Sequence, residues 1–518
     1  QSSIMTGATI LTDQGSQTVR LNSADNVIVA RKDFPAGFAI AGEGVTTLAE
    51  VPAGHKVATQ AVSNGDAIRK YDQIIGFASA DIAVGDHVHT HNCNFADFER
   101  DYAFSQDVRD SGLLPDTERA TFQGYVRPNG QVGTRNYVAI VSTVNCSATV
   151  CKRIAAAFEG DALSNYPNVD GVFAVTHAMG CGAGGADNHA QMQRVMWGYI
   201  SHANCAGVLL IGLGCEGNQI SFLLDAYGLK AGDNFQHMTI QDTGGTRKTI
   251  EEGVDRIKAM LPLANGFSRQ TVSAEHISMA LQCGGSDAYS GITANPAMGA
   301  AVDLIVRNGG TGILSETPEI YGAEHLLTRR AVSKEVGEKL IERIHWWEDY
   351  TTKNGAEMNN NPSPGNKAGG LTTILEKSLG AAAKGGTTNL VDVYKYAEKV
   401  TKKGFVFMDS PGYDPASITG QVASGANVVC FSTGRGSVFG YKPAPSIKLA
   451  TNSTMYNRMS EDMDVNCGAI IDEDVSVAEM GQRIYDLVLR VASGEKSKSE
   501  ELGFGDNEFI PWQIGPYL

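Results

Sequence analysis

Short apolar runs that alternate with helical patterns, each run ending in a glycine-rich turn, constrain the fold of this chain more than any other feature. After Tyr125 the runs NYVAIVSTV, DGVFAVTH and AGVLLIGLG are separated by the amphipathic segments ATVCKRIAAAFEG and QMQRVMWGYISHA. Strands that alternate with helices in this way form βαβ units, which build a mainly parallel sheet. A second region of the same kind starts near Glu275.

The 518 residues divide into segments of different composition, and a chain of this length exceeds what one core usually supports. Residues 1–95 carry short β-branched runs broken by Gly, Pro and Asp, which is typical of a small β-rich domain. Residues 96–122 are polar and acidic without a regular period, so we interpret them as a linker. Residues 123–268 and 269–518 carry the two α/β patterns. The sequence therefore predicts a multidomain α/β protein in which a small β-rich domain precedes two α/β regions with mainly parallel sheets.

Composition excludes several classes of function. The formal net charge is −15, and no run of Lys or Arg interrupts the acidic surplus, so nucleic acid is excluded as a partner. No apolar stretch is long enough to span a bilayer, and the N-terminus QSSIMTGATILTDQ lacks the pattern of a secretory signal. The nine cysteines are few and odd in number, which favours reduced thiols over a disulfide framework. We expect a cytoplasmic protein without membrane partners.

Four cysteines stand where an apolar strand runs into a turn, namely Cys146, Cys181, Cys215 and Cys283. The carboxyl ends of strands in an open α/β sheet gather at one edge, so thiolates there can converge on iron, as a cluster or as a single ion. Two alternatives stay open. Any one of these cysteines can be an inert buried residue, and one of them can instead be a nucleophile.

Alternating histidines form a second candidate group. In HVHTHN, His87, His89 and His91 occupy every second position, so on a strand all three project from one face. That arrangement suits a metal or anion site, and it equally suits the polar face of an edge strand.

Three polar glycine loops form the third group: GGSD at 284–287, PGNK at 364–367 and TGRG at 433–436. Each offers backbone N–H groups together with Ser, Thr, Lys or Arg donors, which suits a carboxylate or a polyhydroxylated anion. With Glu216, Glu316 and Glu319 after other strands, the loops favour a polar active-site cleft.

Several longer motifs, in this order, resemble the altronate and galactarate dehydratase family of sugar-acid lyases. They are GTRN (133–136), GLGCE (212–216), CGGSD with SGITANP (283–296), NPSPGNKAGG (361–370), and FSTGRG with IKLATN (431–452). The resemblance covers nearly the whole chain. The first segment, with AGHK and GDHVHTHN, is similar to the small β-clip domain called SAF that opens these enzymes.

The resemblance implies a reaction and a cofactor. Family members eliminate water from a hydroxylated sugar acid to give a 2-keto-3-deoxy acid, and they depend on Fe²⁺, for which Mn²⁺ substitutes in some cases. Such an elimination needs a base for the proton next to the carboxylate and a Lewis acid that assists departure of the neighbouring hydroxyl. Iron as an ion or as an iron–sulfur cluster is the expected cofactor.

The candidate residues group by role. For the proton transfer they are His55, His177, Glu216 and Glu316. For binding the substrate they are Lys56, Asn136, Ser286, Asp287, Thr293, Asn366, Lys367, Thr433 and Arg435. For the metal they are Cys146, Cys181, Cys215, Cys283, His87 and His89.

D-Altronate is the substrate that the sequence favours, because HVHTHN and EIYGAEHLL are closer to altronate-type members than to galactarate-type ones. Galactarate dehydration and sulfite release from sulfolactate are the alternatives within the family. A sugar-acid sensor or an iron–sulfur electron carrier is the alternative of another class. We expect the chain to form a homo-oligomer.

Overall fold

The computed structural model describes residues 16–518, so residues 1–15 of the predicted β-rich domain lie outside the described part. The N-terminal module consists of three small antiparallel sheets with strand orders β1-β2-β5-β8, β6-β7-β9 and β3-β4. Tight turns with glycine at positive φ separate these short strands. The strands are β1 (Thr18–Val19), β2 (Val27–Ala30), β3 (Ala39–Ile40), β4 (Val45–Thr46), β5 (Lys56–Ala58), β6 (Ala67–Lys70), β7 (Gln73–Ala78), β8 (His87–Val88) and β9 (Cys93–Asn94).

The N-terminal module packs directly on the C-terminal domain. Its core, which includes Val29 and Ile68, is continuous with Ala288, Ile292 and Leu379 of that domain. The two parts therefore exclude water from a common apolar interface, which stabilises their docking.

A buried ion triad lies in the same interface. The Lys56 and Lys70 ammonium groups each lie 2.9 Å from one carboxylate oxygen of Glu376, and all three side chains are fully buried. Burial by itself raises the pKa of Glu376. The two lysines outweigh this effect and lower the pKa to about 2. A buried charge without its partner is strongly unfavourable, so the triad forms only when the module is docked.

The segment after the N-terminal module runs along the C-terminal domain. Arg100 donates to the Glu324 carboxylate at 2.7 Å, and the backbone N–H of Leu114 donates to the Arg307 carbonyl at 2.8 Å. Phe104 lies against Gly337, where a side chain would collide with its ring.

The middle domain is built around a parallel sheet of order β13-β12-β14-β15. A small antiparallel sheet of order β11-β10-β16 joins it to the flanking segments. The strands are β10 (Thr121–Val126), β11 (Val132–Gly133), β12 (Tyr137–Ser142), β13 (Gly171–Val175), β14 (Cys205–Gly212), β15 (Phe235–Thr239) and β16 (Gln270–Ser273). The helices are α1 (Ala148–Ala156), α2 (Ala186–Ile200), α3 (Ile220–Tyr227), α4 (Ile240–Thr243) and α5 (Thr246–Asn265).

Helices cover both faces of the middle sheet. α1 and α5 pack on one face, and α2 packs on the other together with residues of the C-terminal domain. Gly198 of α2 allows this close approach, because a Cβ there would overlap the backbone of Ala423.

The pattern TIEEGVDRIKAMLPLAN predicts that Thr249 caps a helix, but this is wrong. α5 begins one turn earlier, and the Thr249 hydroxyl donates within the helix to the Gly245 carbonyl at 2.7 Å.

The C-terminal domain contains a seven-stranded, fully parallel sheet of order β19-β20-β18-β17-β21-β22-β23. The strands are β17 (Ser278–Cys283), β18 (Thr311–Leu314), β19 (Leu390–Tyr394), β20 (Gly404–Met408), β21 (Val428–Thr433), β22 (Ser446–Ala450) and β23 (Val465–Asn466). The helices are α6 (Ala294–Arg307), α7 (Glu324–Thr328), α8 (Lys334–Lys353), α9 (Pro364–Ala368), α10 (Ile374–Ala382), α11 (Asp414–Ala423), α12 (Ser453–Arg458), α13 (Ala469–Asp472), α14 (Val477–Ala492) and α15 (Lys498–Glu501).

The predicted fold class is confirmed. A β-rich N-terminal region precedes two α/β regions whose central sheets are parallel, as βαβ alternation requires. Local signals explain several helix ends: Ser476 and Glu479 form a capping box at the start of α14, and Ser333 caps α8. Within residues 16–518, no helix combines the length and the apolar character needed to cross a membrane.

Replacing Glu376 tests the ion triad. Glu376→Gln leaves two buried ammonium groups without a counter-charge, so we expect the free energy of unfolding to fall by about 3–5 kcal/mol. Because the pKa of Glu376 is depressed from 4.5 to about 2, this contribution is fully present above pH 4.5 and is lost as the pH falls towards 2. Denaturant unfolding at neutral pH and in this acid range measures both effects.

The matched control is Glu251→Gln. It removes the exposed pair of Arg247 and Glu251 on α5, which is expected to change the stability by at most about 0.5 kcal/mol. If Glu376→Gln changes stability no more than this control, the docking of the N-terminal module does not depend on the triad.

Candidate active site

The candidate site lies at the carboxyl edge of the C-terminal sheet, next to the loops that follow β17 and β21. These strands are neighbours, but between them the chain forms β18, the edge strand β19 and then β20 on one side of β17 before it crosses to β21 on the other side. Such a reversal of strand order opens a crevice beyond the carboxyl ends of the strands, where ligands of α/β proteins bind. Two of the predicted polar loops, at 284–287 and 433–436, lie at this point.

Asp287 holds the crevice loops together. Its buried carboxylate accepts hydrogen bonds from the backbone N–H of Ser290 at 3.0 Å, the Thr451 hydroxyl at 3.0 Å and the Asn452 amide at 3.2 Å. Gly434 is required beside it, since a Cβ there would overlap the carboxylate. Asp287 thus shapes the wall of the crevice.

A cleft of about 730 Å³ separates the N-terminal module from this crevice. The module contributes Arg31 and Lys32 to its lining, and the C-terminal domain contributes Asp287, Arg435 and Arg458. The Arg31 guanidinium donates to the Ile471 carbonyl across the cleft at 2.7 Å, whereas Arg435 and Arg458 are exposed. This excess of cationic side chains suits a carboxylate-bearing ligand.

Three histidines of the N-terminal module lie next to the cleft. One ring nitrogen from each of His55, His87 and His89 lies within 4.8 Å of the others. His55 reaches Ala368, which lines the cleft, through a contact of 2.9 Å between its Nε2 and the Ala368 carbonyl oxygen. His91 is exposed and falls outside the group, because β8 ends at Val88 and a tight turn follows.

The environment keeps these imidazoles neutral. Burial, together with the smaller effect of the neighbouring imidazoles, lowers the pKa of His87 to about 4 and that of His89 to about 3. Burial also lowers the pKa of His55. Neutral imidazoles are the form that binds metals.

Hydrogen bonds set the His55 tautomer. The Ala368 carbonyl can only accept, so Nε2 of the neutral His55 ring carries the proton. Its Nδ1 then presents a lone pair towards Nε2 of His87 at 2.9 Å. A carbonyl that orients an imidazole in this way is a common support for a metal ligand. Nδ1 of His89 is buried and has no hydrogen-bond partner among the described residues, so the group suits a metal such as divalent iron.

A second group of ionisable side chains is buried at the carboxyl edge of the C-terminal sheet. Ligand atoms of Cys283, Glu316 and Glu319 lie within 4.8 Å of one another. The Lys384 ammonium lies 3.0 Å from the Cys283 sulfur, and that of Lys377 lies 2.8 Å from Glu319. These two cations already balance the acidic groups and compete with a metal, so the histidine group is the better cation site.

Glu316 combines a strained backbone with an unsatisfied carboxylate. Its φ of 67° is left-handed, a conformation that costs a non-glycine residue free energy and is concentrated at functional sites. One carboxylate oxygen of Glu316, one of Glu319, and the hydroxyls of Ser286 and Ser315 are buried without a hydrogen-bond partner among residues 16–518. Buried polar atoms are rarely left unpaired, so each of these atoms is a candidate partner for a ligand hydroxyl or a water. Burial raises the pKa of Glu316 well above its ordinary value, and the Glu319 carboxylate raises it further.

The four predicted cysteine ligands fall into two places. Cys146, Cys181 and Cys215 are exposed and follow β12, β13 and β14 of the middle domain. Cys283 ends β17 of the C-terminal domain, where it is buried beside Lys384. One metal cannot use all four, because they lie on two different sheets.

Four other predicted residues have structural partners away from the cleft. Lys56 belongs to the buried triad. Asn136 is buried in the middle domain and donates to the Asn168 and Ala264 carbonyls. His177 and Glu216 lie in the loops of the middle domain, where His177 contacts the Ser142 carbonyl at 3.0 Å and Glu216 accepts from Thr143 at 2.6 Å.

The remaining predicted residues surround the crevice. The Asn366 amide donates to the Ser286 carbonyl at 2.8 Å, which joins two of the polar loops. Lys367 follows on the same short helix, α9, and is half-buried. Thr293 and Thr433 bond to nearby backbone and shape the loops, through the Thr451 carbonyl and the Gly436 N–H respectively.

Sequence reasoning named Glu319 with Glu316, but it missed the two lysines of the buried group, Lys377 and Lys384. A lysine in the small-residue segment AAAKGG is the signal that could have found Lys384, because a lysine in such surroundings is buried only when it is paired. Arg31 and Arg458 also line the cleft, and no local motif marks them.

Comparison with known proteins explains this arrangement. Three family models match consecutive parts of the chain: the altronate/galactarate dehydratase SAF domain over residues 16–96, the D-galactarate dehydratase/altronate hydrolase second domain over 124–265, and the D-galactarate/altronate dehydratase C-terminal domain over 274–517. The chain belongs to the altronate and galactarate dehydratase family. The resemblance drawn from its motifs is thereby confirmed.

Individual relatives within the family are similar over almost their full length. An altronate dehydratase of Bacillus subtilis is 34% identical over 94% of this chain and 97% of its own. An altronate dehydratase of Escherichia coli is 33% identical over the same shares, and a galactarate dehydratase of that organism is 36% identical over 92% of this chain and 93% of its own.

Subunits of two sulfo-lyases are also similar to this chain. The β-subunit of a (2R)-sulfolactate sulfo-lyase of Chromohalobacter salexigens is 32% identical over 75% of this chain and 96% of its own. The α-subunit of a (2R)-sulfolactate sulfo-lyase of Paracoccus pantotrophus is 51% identical over 49 residues, which are 10% of this chain and 73% of its own.

Two substitutions of Glu316 test its backbone strain. Because φ at this position is 67°, Glu316→Gly is expected to be more stable than Glu316→Ala by about 1 kcal/mol, although alanine is normally the more stable of the two. Both variants are expected to lose activity, since both remove the carboxylate. Thermal unfolding of the two variants measures the difference.

Asp474 is the matched control, because it is exposed and has a φ of 56°. Asp474→Gly is likewise expected to be more stable than Asp474→Ala, but with full activity in both. A Glu316→Ala variant that is more stable than Glu316→Gly would contradict the left-handed conformation.

Proposed function

We propose that this protein is a hydro-lyase that removes water from a sugar acid, D-altronate in the first place, to give a 2-keto-3-deoxy acid. The observation that carries the proposal is the cleft between the N-terminal module and the C-terminal domain. It combines cationic side chains with a polar glycine-loop crevice, and a neutral histidine group adjoins its wall at Ala368, in a chain that is similar to altronate dehydratases over 94% of its length.

Binding of the substrate is assigned to the cationic residues of the cleft. Arg435 is exposed to the cleft, and Lys367 adjoins Ala368 in its wall. A guanidinium can hold a carboxylate through two hydrogen bonds, which fixes the orientation of the carbon next to it. The unpaired Ser286 hydroxyl is the proposed partner of a substrate hydroxyl.

Divalent iron is the proposed cofactor, with His55, His87 and His89 as its ligands. Imidazole nitrogens suit divalent iron, and the Ala368 carbonyl already orients His55 for such a role. Iron bound there would supply a Lewis acid for the departure of a hydroxyl. His55 is therefore proposed as a ligand in place of the proton-transfer role that the sequence suggested.

Glu316 is the proposed acid–base residue. In the elimination, the proton at C2 goes to a base, its electron pair forms a double bond to C3, and the C3 hydroxyl takes up a proton and leaves as water. The raised pKa of Glu316 makes its carboxylate a stronger base than that of an ordinary glutamate. The unpaired carboxylate oxygen can hold this proton, and the resulting enol tautomerises to the 2-keto acid.

Galactarate is the second candidate substrate. The galactarate dehydratase of E. coli is 36% identical to this chain, so overall similarity does not favour altronate over it. Galactarate has a second carboxylate, and the cleft offers Arg458 and Lys32 in addition to Arg435. Sulfolactate is a third candidate because of the two matching sulfo-lyase subunits.

An anaerobic assay of iron-loaded protein on D-altronate, galactarate and sulfolactate tests the reaction class. We expect a 2-keto-3-deoxy acid from D-altronate, detected by derivatisation of the keto group. Keto acid from galactarate alone, or sulfite from sulfolactate, would replace the proposed substrate. Tight binding of a sugar acid without any turnover would favour the sensor alternative.

Two single substitutions separate the proposed roles. Glu316→Gln is expected to lower kcat by about 10²- to 10⁴-fold with unchanged iron content, because it removes only the proton transfer. His87→Ala is expected to lose both iron and activity. Iron analysis and steady-state kinetics measure these effects, with exposed Glu473→Gln as the control. A His87→Ala variant that retains iron with full affinity would contradict the proposed ligand set.

The expected homo-oligomer and the expected cytoplasmic location stay predictions. Light scattering of the purified chain and fractionation of producing cells test them.

A further inference from the structure

The exposed cysteines of the middle domain form a group that the proposed dehydration does not use. Cys146, Cys181 and Cys215 are the exposed ones among the nine cysteines, and the other six are buried or half-buried. Free cysteines are among the most buried residues in proteins, so three exposed ones in one domain need an explanation. Residues that line the cleft come from the N-terminal module and the C-terminal domain, so this group is separate from the proposed active site.

The sheet places the three cysteines at one edge. They follow β12, β13 and β14, and the sheet order β13-β12-β14 makes these strands immediate neighbours that run parallel. The chain passes from β12 to β13 on one side and then to β14 on the other. The carboxyl ends of β12 and β14 thus flank a topological switch point, the place where open α/β sheets bind ligands.

Hydrogen bonds join the three loops in pairs. The backbone N–H of Asn145 donates to the Met179 carbonyl at 2.8 Å, which links the Cys146 and Cys181 loops. The N–H of Gly217 donates to the Cys181 carbonyl at 3.1 Å, which links the Cys181 and Cys215 loops. The third link is the bond of 2.6 Å between the Thr143 hydroxyl and Glu216. Each thiol therefore lies on a loop that is fixed to the other two.

The three cysteine loops lead into helices. Cys146 lies just before α1, and the Cys181 and Cys215 loops lead into α2 and α3. Backbone N–H groups at a helix N-terminus have no partner within the helix and face an anionic ligand bound there. The Gln241 amide also donates to the Cys215 sulfur at 3.3 Å. His177 and Glu216, which the sequence suggested as bases, instead hold these loops in shape.

The separation of the three thiols distinguishes a site for a single metal ion from a site for a cluster. Among residues 16–518, no group of three ligand atoms within 4.8 Å includes these thiols, so they do not surround a single ion. Ligands of an iron–sulfur cluster bind different irons and lie farther apart.

We propose that Cys146, Cys181 and Cys215 hold a [4Fe–4S] cluster in the middle domain. Each thiol loses its proton and binds one iron, and the fourth iron is left for a ligand other than a cysteine of this group. The C-terminal residues cover one side, since the Leu518 N–H donates to the Gly182 carbonyl at 3.0 Å and the Gly184 N–H to the Pro516 carbonyl at 2.8 Å. The cluster site is independent of the histidine group at the cleft.

Anaerobic reconstitution of the full chain with ferric iron, sulfide and a thiol reductant, which reduces part of the iron, tests the proposal. We expect about four acid-labile sulfides per chain, a visible absorption band, and about four irons in addition to the one proposed for the histidine group. Cluster binding is also expected to protect the three thiols from alkylation, which mass spectrometry of labelled peptides measures. Iron uptake without sulfide, or no uptake, would overturn the proposal.

Variants identify the ligands. Cys146→Ser, Cys181→Ser and Cys215→Ser are each expected to lose most of the sulfide and of the absorption band. The matched control is Cys205→Ser, because Cys205 begins β14 and lies at the opposite end of the same strand as the Cys215 loop. His87→Ala is expected to keep the cluster, which separates this proposal from the one for the cleft. Circular dichroism checks that each variant is folded, and equal sulfide in a folded triple serine variant and in the unsubstituted protein would overturn the assignment.

Discussion

The buried pairing of Glu376 with Lys56 and Lys70 is the interaction on which the cleft depends. It joins the N-terminal module to the C-terminal domain in a region from which water is excluded. Charges buried in this way are favourable only when their partners are in place, so the triad specifies one docking geometry. His55 precedes Lys56 directly, and the triad therefore also fixes where the histidine group meets the Ala368 carbonyl.

The candidate active site consequently belongs to two parts of the chain. The histidines come from the β-rich module, while the cationic side chain of Arg435, the polar loops and the buried Glu316 come from the C-terminal domain. The middle domain contributes no lining residue to the cleft within the described chain.

Two buried carboxylates of the C-terminal domain have different surroundings. Asp287 is satisfied by several donors and shapes the crevice, whereas Glu316 has a strained backbone and an oxygen without a partner. Satisfied buried groups stabilise a fold, and unsatisfied ones are tolerated where function requires them. This contrast distinguishes residues that support the site from residues that are proposed to act in it.

The sequence by itself determined the fold class and the family, because the alternation of apolar runs and amphipathic helices and the long motifs are local patterns. It also identified the polar loops at 284–287 and 433–436 and the histidines of HVHTHN, since each is a short continuous motif. It could not show that Lys56 is buried against Glu376, or that Cys283 lies apart from Cys146, because partners distant in sequence are chosen only when the domains pack. Strand order decided the rest: it placed three cysteines at one sheet edge and the fourth at another.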